Sequence, residues 1–171
     1  MSELVFRNRQ RSRRVNTRLL RQIARTLLGE FVGVKQYELC VHLVGAAEMA
    51  RINSRFLQHE GSTDVITFDH CRRRGDESSG EALLTSCPTV ELHGEIFICL
   101  DDAIAQARQF RATWQAELVR YVVHGVLHLL GHDDLKAAAR RKMKREENRL
   151  VREMSARFAL SKLKRAPKLR P

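Results

Sequence analysis

The segment from Leu118 to Leu130 is the most apolar part of the chain, and it restricts the fold more than any other segment. Its length and apolar content predict a helix that is buried on at least one face. The segment also carries Arg120, His124 and His128. Since a membrane-spanning helix needs roughly 18 uninterrupted apolar residues, these side chains exclude an integral membrane protein. We therefore predict a core helix in a globular domain.

Strand-like and helix-like patterns alternate along the rest of the chain. Runs rich in β-branched and apolar residues predict strands at residues 4–6, 38–44, 65–68 and 95–100. Helical spacing appears between and after them. The chain has 171 residues, of which 43% are hydrophobic, which suits one core and is too short for two ordinary domains. We predict a single α+β domain over residues 1–160, with a mixed sheet of about four strands packed with helices.

Basic residues dominate the charge of the chain. The sequence has 31 Lys and Arg against 20 Asp and Glu, which gives a net charge of +11 and favours a polyanionic partner, with nucleic acid first. Aromatic residues make up only 6%, so contacts to a nucleic-acid backbone should outweigh base stacking. The candidate nucleic-acid-binding residues are Arg72, Arg73, Arg74, Arg141 and Lys144. Residues 161–171 are basic and contain proline, and we predict a disordered tail there.

Cysteine usage and the N-terminus bear on the cellular compartment. The four cysteines are Cys40, Cys71, Cys87 and Cys99. They form no C-x-x-C pair, so neither a zinc knuckle nor a disulfide framework is indicated, and we expect small buried or loop residues. Residues 1–7 do not look like a secretory signal, and we expect a cytoplasmic protein. Three further histidines have no partner at ligand spacing and are expected to be ordinary core or surface residues: His42, His70 and His93.

The buried helix carries a pattern typical of a metal site. His124 and His128 are four residues apart, so a helix presents both imidazoles on one face. A third zinc ligand cannot come from an unbroken helix, because His132 would lie about 12 Å along the axis from His124. Gly131 tolerates the left-handed conformation that ends a helix. The residues that follow Gly131 would bring His132, Asp133 or Asp134 back to the metal. The alternative is that His124 and His128 are ordinary helix histidines that bind no metal.

The residue after the first histidine argues against a peptidase. Zinc peptidases with the motif H-E-x-x-H carry a glutamate there as general base. This chain has Gly125 at that position. A peptidase would therefore lack its base.

Three blocks of the sequence resemble the YbeY-type rRNA maturation endoribonucleases. Residues 124–134 resemble the family signature H-G-x-L-H-L-x-G-x-D-H. Residues 53–68 resemble the block N-x-x-Y-R followed by P-T-D-V-L-S-F, and residues 93–98 resemble the strand L-G-D-I-x-I. The blocks occur in the family's order and extend over roughly residues 35 to 150, which makes chance similarity improbable.

The resemblance implies a fold and an activity. It implies a zincin-like arrangement of sheet and helices, with zinc at the bottom of a basic cleft. It also implies a metal-dependent endoribonuclease that is specific for single strands, matures the 3′ end of 16S rRNA and supports ribosome quality control. The implied partners are single-stranded or ribosomal RNA and the small ribosomal subunit.

Two positions depart from the family pattern. Asp134 stands where most members carry the third histidine ligand, and a carboxylate is an acceptable zinc ligand. The ligand set is then His124, His128 and Asp134, with His132 as the alternative third ligand. Mixed ligands of this kind also admit other divalent ions, so zinc is expected but not the sole candidate.

The second departure concerns phosphate binding. Leu57 occupies the position of the family's arginine, a residue expected to stabilise the developing charge on the scissile phosphate. Arg55 is the candidate replacement, and His59 is a candidate proton-transfer group; the alternative for each is a solvated surface residue. Two other functions stay open: an RNA-binding ribosome assembly factor with a structural metal, and another zinc hydrolase.

Overall fold

The computed structural model describes residues 2–70 and 91–165. Within these ranges the strands are β1 (Glu3–Asn8), β2 (Gln36–Val44), β3 (Val65–Asp69) and β4 (Glu91–Cys99). The α-helices are α1 (Thr17–Thr26), α2 (Ala46–Leu57), α3 (Leu100–Gln109), α4 (Trp114–Leu129) and α5 (Ala137–Arg157). A π-helical turn (Leu27–Val32) follows α1, and a 3₁₀ turn (Leu160–Leu163) follows α5. The prediction of an α+β fold is confirmed.

The described strands form one mixed sheet in the order β1-β2-β4-β3. The neighbours β1 and β2 are parallel, as are β2 and β4, whereas β3 runs antiparallel to β4 on the edge. Side chains alternate between the two faces of a strand. On β2, Leu39, Val41 and Leu43 enter the main core, while Cys40 and His42 point to the opposite face.

The main core lies between the sheet and α4. Leu118, Val122 and Val126 of α4 are fully buried there. The helix approaches β4 so closely that a Cβ built on Gly125 would lie 2.6 Å from Cγ2 of Ile96. A larger side chain at position 125 would require Ile96 or the helix to shift, which gives a packing reason for the missing glutamate.

The opposite face of the sheet is covered only in part by α2. Met49 of α2 packs with Val44, Ile66 and Cys99 in a small second core at the ends of β2 and β4. The backbone N–H of Ala46, the first residue of α2, donates a hydrogen bond of 2.8 Å to Oδ2 of Asp101. The first turn of α3 thus holds the start of α2.

The prediction of a disordered tail from residue 161 is wrong for residues 161–165. Leu163 is fully buried in the main core, and its carbonyl accepts a 2.8 Å hydrogen bond from the Asn16 N–H. Val15 and Lys164 form an antiparallel bridge. An apolar residue in a basic segment therefore anchors it to the chain before α1. Residues 166–171 lie outside the described residues.

A membrane-spanning segment is not found in the structure. Among the residues that the structure describes, no helix combines the length and the apolar content needed to cross a bilayer. The histidine segment instead forms a core helix, as expected.

Candidate metal centre

A Schellman turn ends α4 directly behind the two histidines. Gly131 has a φ of +86°, the left-handed conformation that the sequence predicted. Its N–H bonds to the carbonyl of His128 at 2.9 Å, and the N–H of His132 bonds to the carbonyl of Leu127 at 3.0 Å. This pair of hydrogen bonds satisfies the last carbonyls of the helix and turns the chain back.

The two imidazoles face each other across one helical turn. The Nε2 atoms of His124 and His128 are 3.0 Å apart, and the ring centroids are 4.5 Å apart. Both side chains are half-buried, with 21% and 26% exposed. Ligands bound at about 2.0–2.1 Å around a tetrahedral zinc lie about 3.3–3.4 Å from each other. The Nε2 separation therefore fits a shared ion after a small adjustment.

The other ring nitrogens determine which tautomers are present. Nδ1 of His124 lies 2.9 Å from Oε2 of Glu147, and Nδ1 of His128 lies 3.1 Å from the carbonyl oxygen of His132. An ionised carboxylate and a carbonyl only accept hydrogen bonds, so both Nδ1 atoms must donate. In the neutral rings, two Nε2 lone pairs then point at each other. Such an arrangement calls for a cation or a shared proton between them.

Burial favours the neutral, metal-binding form of the second imidazole. Removal from water, followed by the neighbouring His124, lowers the pKa of His128 below its ordinary value. A neutral imidazole is the form that ligates metals. The electrostatics of the site therefore keep this lone pair available near neutral pH.

Asp134 is the third donor that the turn brings to the pair. Its Oδ2 lies 3.9 Å from Nε2 of His128, and one donor atom from each of the three side chains lies within 4.8 Å of the others. His132 supplies its backbone carbonyl to Nδ1 of His128, and its side chain is not part of this group. The arrangement favours Asp134 over His132 as the third ligand.

Glu147 of α5 supports the pair from behind. The side chain is 4% exposed and accepts from Lys144 Nζ at 2.8 Å and from Arg120 at 2.6 Å, besides His124. Burial alone would raise the pKa of Glu147, but the hydrogen bonds from His124, Lys144 and Arg120 outweigh it and hold the pKa at about 2. This ionised carboxylate fixes the orientation of His124. Metal-ligating histidines nearly always have such a hydrogen-bond partner on the other ring nitrogen.

Each imidazole of the histidine pair lines a groove. One groove, of about 600 Å³, is lined by His124 and by the side chains of Arg120 and Lys144. The other, of about 650 Å³, is lined by His128 and by residues of the turn that follows Gly131. A ligand in either groove would therefore contact one of the two imidazoles.

The remaining candidate residues fall into three groups. Lys144 lies in the first groove, and Arg141 lies exposed on α5 one turn before it. Arg55 and His59 are exposed and line neither groove; the Arg55 guanidinium lies 5.4 Å from the ring centroid of Phe56. The three arginines Arg72, Arg73 and Arg74 lie outside the described residues. Their roles stay predictions.

Sequence reasoning missed two groups at the site. Glu147 lies 23 residues from His124 on a helix that follows a turn, and no local spacing joins the two. Asp64 accepts a 2.9 Å hydrogen bond from the Val65 N–H and also lines the groove beside His124. The block T-D before a strand could have indicated the second contact.

Known proteins share this fold and these sequence blocks. The family described as Endoribonuclease YbeY matches residues 5–155. An endoribonuclease YbeY of Chlorobium phaeovibrioides is 32% identical over 137 residues, covering 80% of this chain and 81% of the relative. One from Chlorobium luteolum is 30% identical over 152 residues, covering 89% and 98%. A solution structure of a Thermotoga maritima protein covers 99% of this chain and all of that one, with 20% identity and a TM-score of 0.61.

The fold and the donor set define an α+β protein with a candidate His-His-Asp metal centre between two grooves. The matches carry the assignment further. The chain belongs to the endoribonuclease YbeY family.

Proposed function

We propose that this protein is a zinc-dependent endoribonuclease that cuts single-stranded RNA in the cytoplasm. Its proposed role is the maturation of ribosomal RNA on the small ribosomal subunit, including the 3′ end of 16S rRNA, and ribosome quality control. Family membership supports the nuclease activity. The excess of basic residues, 31 against 20 acidic, supports a polyanionic substrate.

The proposed ligands of the zinc ion are His124, His128 and Asp134. The observation that carries this assignment is the 3.0 Å approach of two Nε2 atoms whose partner nitrogens both donate elsewhere. Three protein donors leave a fourth position for solvent or substrate, as in catalytic zinc sites. A bound ion of this kind supplies a Lewis acid and lowers the pKa of water at that position.

The side chains around the centre would hold the RNA backbone. The Lys144 side chain is 59% exposed at the groove and can reach a phosphate while its ammonium stays near Glu147. Arg141 continues the cationic surface along α5. Arg55 and His59 remain our candidates for phosphate contact and proton transfer. Arg55 would act from α2 and His59 from the residues that follow this helix. They are candidates because Leu57 cannot supply the positive charge of an arginine.

Metal content and RNA cleavage of the His128→Ala variant test the proposal, with His132→Ala as the matched control. His128 contributes a facing Nε2, whereas the His132 side chain lies outside the donor group. We expect His128→Ala to lose the ion of this centre and all cleavage of a single-stranded RNA. His132→Ala should retain both. Circular dichroism of the purified variants checks that each is folded.

Two outcomes would overturn the proposal. Cleavage that persists in a folded, metal-free His128→Ala protein would remove the metal from the reaction. A wild-type protein that holds the ion and binds RNA but never cuts it would be an assembly factor with a structural metal. In that case His128→Ala would lower the melting temperature and the RNA affinity, and neither protein would cut RNA.

A further inference from the structure

We propose a second metal site, formed by Cys40, His42 and Glu95, for a divalent ion of the zinc and cobalt class. The three side chains lie on the face of the sheet opposite α4, so the site is separate from the histidine pair on that helix. One donor atom from each lies within 4.8 Å of the others.

The register of the two central strands brings the donors together. Cys40 and His42 are two residues apart on β2, so both point to the same face. Glu95 is the register partner of Cys40 on the parallel neighbour β4. Oε1 of Glu95 lies 3.2 Å from Nε2 of His42. Because the donors project from paired central strands, their positions depend on backbone hydrogen bonds of the sheet and not on a loop.

The imidazole of this group is held in place as a ligand would be. The His42 side chain is 4% exposed, and its ring stacks on Phe97 with centroids 4.2 Å apart and an interplanar angle of 5°. A buried ring with one nitrogen directed at a carboxylate has little freedom to turn away from a bound ion.

The chemistry of the donors selects the kind of ion. Thiolate, imidazole and carboxylate together suit zinc and its transition-metal neighbours, whereas magnesium and calcium prefer oxygen alone. A thiol that binds the ion releases its proton to solvent. A thiolate and a carboxylate would then neutralise the charge of a divalent ion.

Two arginines also face the group. Arg7 lines the groove beside Cys40, and a nitrogen of Arg9 lies 3.4 Å from Nδ1 of His42. When Nε2 binds an ion, Nδ1 carries the proton, so the Arg9 guanidinium must turn away. Glu48 provides its alternative partner, already 3.0 Å from the same nitrogen.

His70 is the fourth donor within reach. Its Nε2 lies 3.8 Å from Oε2 of Glu95, and the side chain is 44% exposed. A groove of about 240 Å³ lined by Cys40, Glu95 and His70 opens this group to solvent and gives an ion a path of entry. A rotation of the exposed imidazole would complete the four-coordinate shell that zinc prefers.

Cobalt loading tests the second site, because a thiolate-to-cobalt charge-transfer band appears only where sulfur is a ligand. The wild-type chain, Cys40→Ser, Cys99→Ser and His128→Ala are each loaded with Co²⁺ and analysed for absorption and metal content. All are also made in a Cys71→Ser/Cys87→Ser background, which removes the two other thiols. The Cys99 thiol is buried in the small second core and serves as the matched control.

We expect two ions per wild-type chain and a thiolate band. Cys40→Ser should lose the band and one ion, Cys99→Ser should lose neither, and His128→Ala should lose one ion but keep the band. A wild-type chain without the band, or a band that persists in Cys40→Ser or disappears in the Cys71→Ser/Cys87→Ser background, would overturn the proposal. If Cys40→Ser fails to fold, Glu95→Gln gives the same decision, because it should weaken cobalt binding while leaving the thiolate in place. Failure of the second site would still leave the loss of the helical-site ion and of RNA cleavage in His128→Ala unchanged.

Discussion

The two faces of the sheet carry two donor groups that are built by different means. On the α4 face, His124 and His128 come from successive turns of one helix, and hydrogen bonds from Glu147 and the His132 carbonyl orient their rings. On the other face, Cys40, His42 and Glu95 are placed by strand pairing, and Phe97 restrains the imidazole by stacking. The helical group therefore depends on polar partners, and the strand group depends on backbone register.

This difference separates the two groups experimentally. Substitutions behind the histidine pair of α4 should change metal binding at that site alone. Substitutions on β2 should change metal binding only at the site of Cys40, His42 and Glu95. The Glu147→Gln prediction below uses the second site as its reference. Titrations of the helical site are done in a Cys40→Ser background, where the second site is absent.

The largest effect is expected from Asp134→Ala. Removing a proposed ligand should weaken zinc binding at the helical site more than about 100-fold, since loss of a supporting partner alone costs up to that amount. Asp133→Ala is the matched control, because its carboxylate only accepts from the Leu135 N–H. Competition with a chelator of known affinity measures both. Equal zinc affinities would show that Asp134 is not a ligand.

Glu147→Gln should weaken zinc binding at the helical site by about 10- to 100-fold. Glutamine retains an oxygen for the Nδ1–H of His124 but loses the charge that attracts Arg120 and Lys144. Glu146→Gln, at the neighbouring half-buried position that pairs with Arg149, should have little effect. The cobalt band of the second site, measured with Cys40 intact, should be the same in both variants, and a change in that band would contradict the separation of the two faces.

Gly125→Ala should destabilise the metal-free protein by up to about 2 kcal/mol. Overpacking against Ile96 costs about 1–3 kcal/mol, and the gain in helix propensity offsets about 1 kcal/mol of it. Gly29→Ala is the control, since a Cβ there meets nothing within 4 Å and should leave stability equal or slightly higher. Urea unfolding measures both, and a stabilised Gly125→Ala would show that α4 can move from β4 at no cost.

The smallest effect concerns RNA. Lys144→Ala should reduce the salt dependence of single-strand binding by about 0.7 in the slope of log K against log salt, the value for one phosphate contact. Arg7→Ala, in the groove of the opposite face, should not change the slope. Fluorescence anisotropy at several salt concentrations measures both. A change of slope in Arg7→Ala but not in Lys144→Ala would place the RNA on the face of the sheet that carries Cys40 and His42.

Local patterns were sufficient for the parts of the molecule that depend on neighbouring residues. Helical spacing after the predicted strand at residues 38–44 indicated a helix, and the structure places α2 there. The histidine spacing and Gly131 predicted the ring pair and the turn behind it. Each of these features is determined within about one or two turns of chain, where spacing and backbone preference act directly.

Features that depend on distant packing were not predictable in this way. By its sequence position at the start of α3, Asp101 could cap that helix. Its carboxylate instead accepts a hydrogen bond from the N–H of Ala46 on α2. Leu135 fits the apolar stripe of the last helix, yet it is 83% exposed because α5 begins only at Ala137. The pairing of Cys40 with Glu95 requires the strand order, which no local spacing contains.

The position of Glu147 on α5 has a consequence for the protein as a whole. The same carboxylate that orients His124 also holds Arg120 of α4 and Lys144 of its own helix. If the proposed ion binds here, its occupation and the attachment of α5 would be thermodynamically linked. An ion that binds only the assembled form would tighten that attachment in proportion to the logarithm of its concentration. The availability of metal would thus change how firmly α5 is held to the rest of the domain.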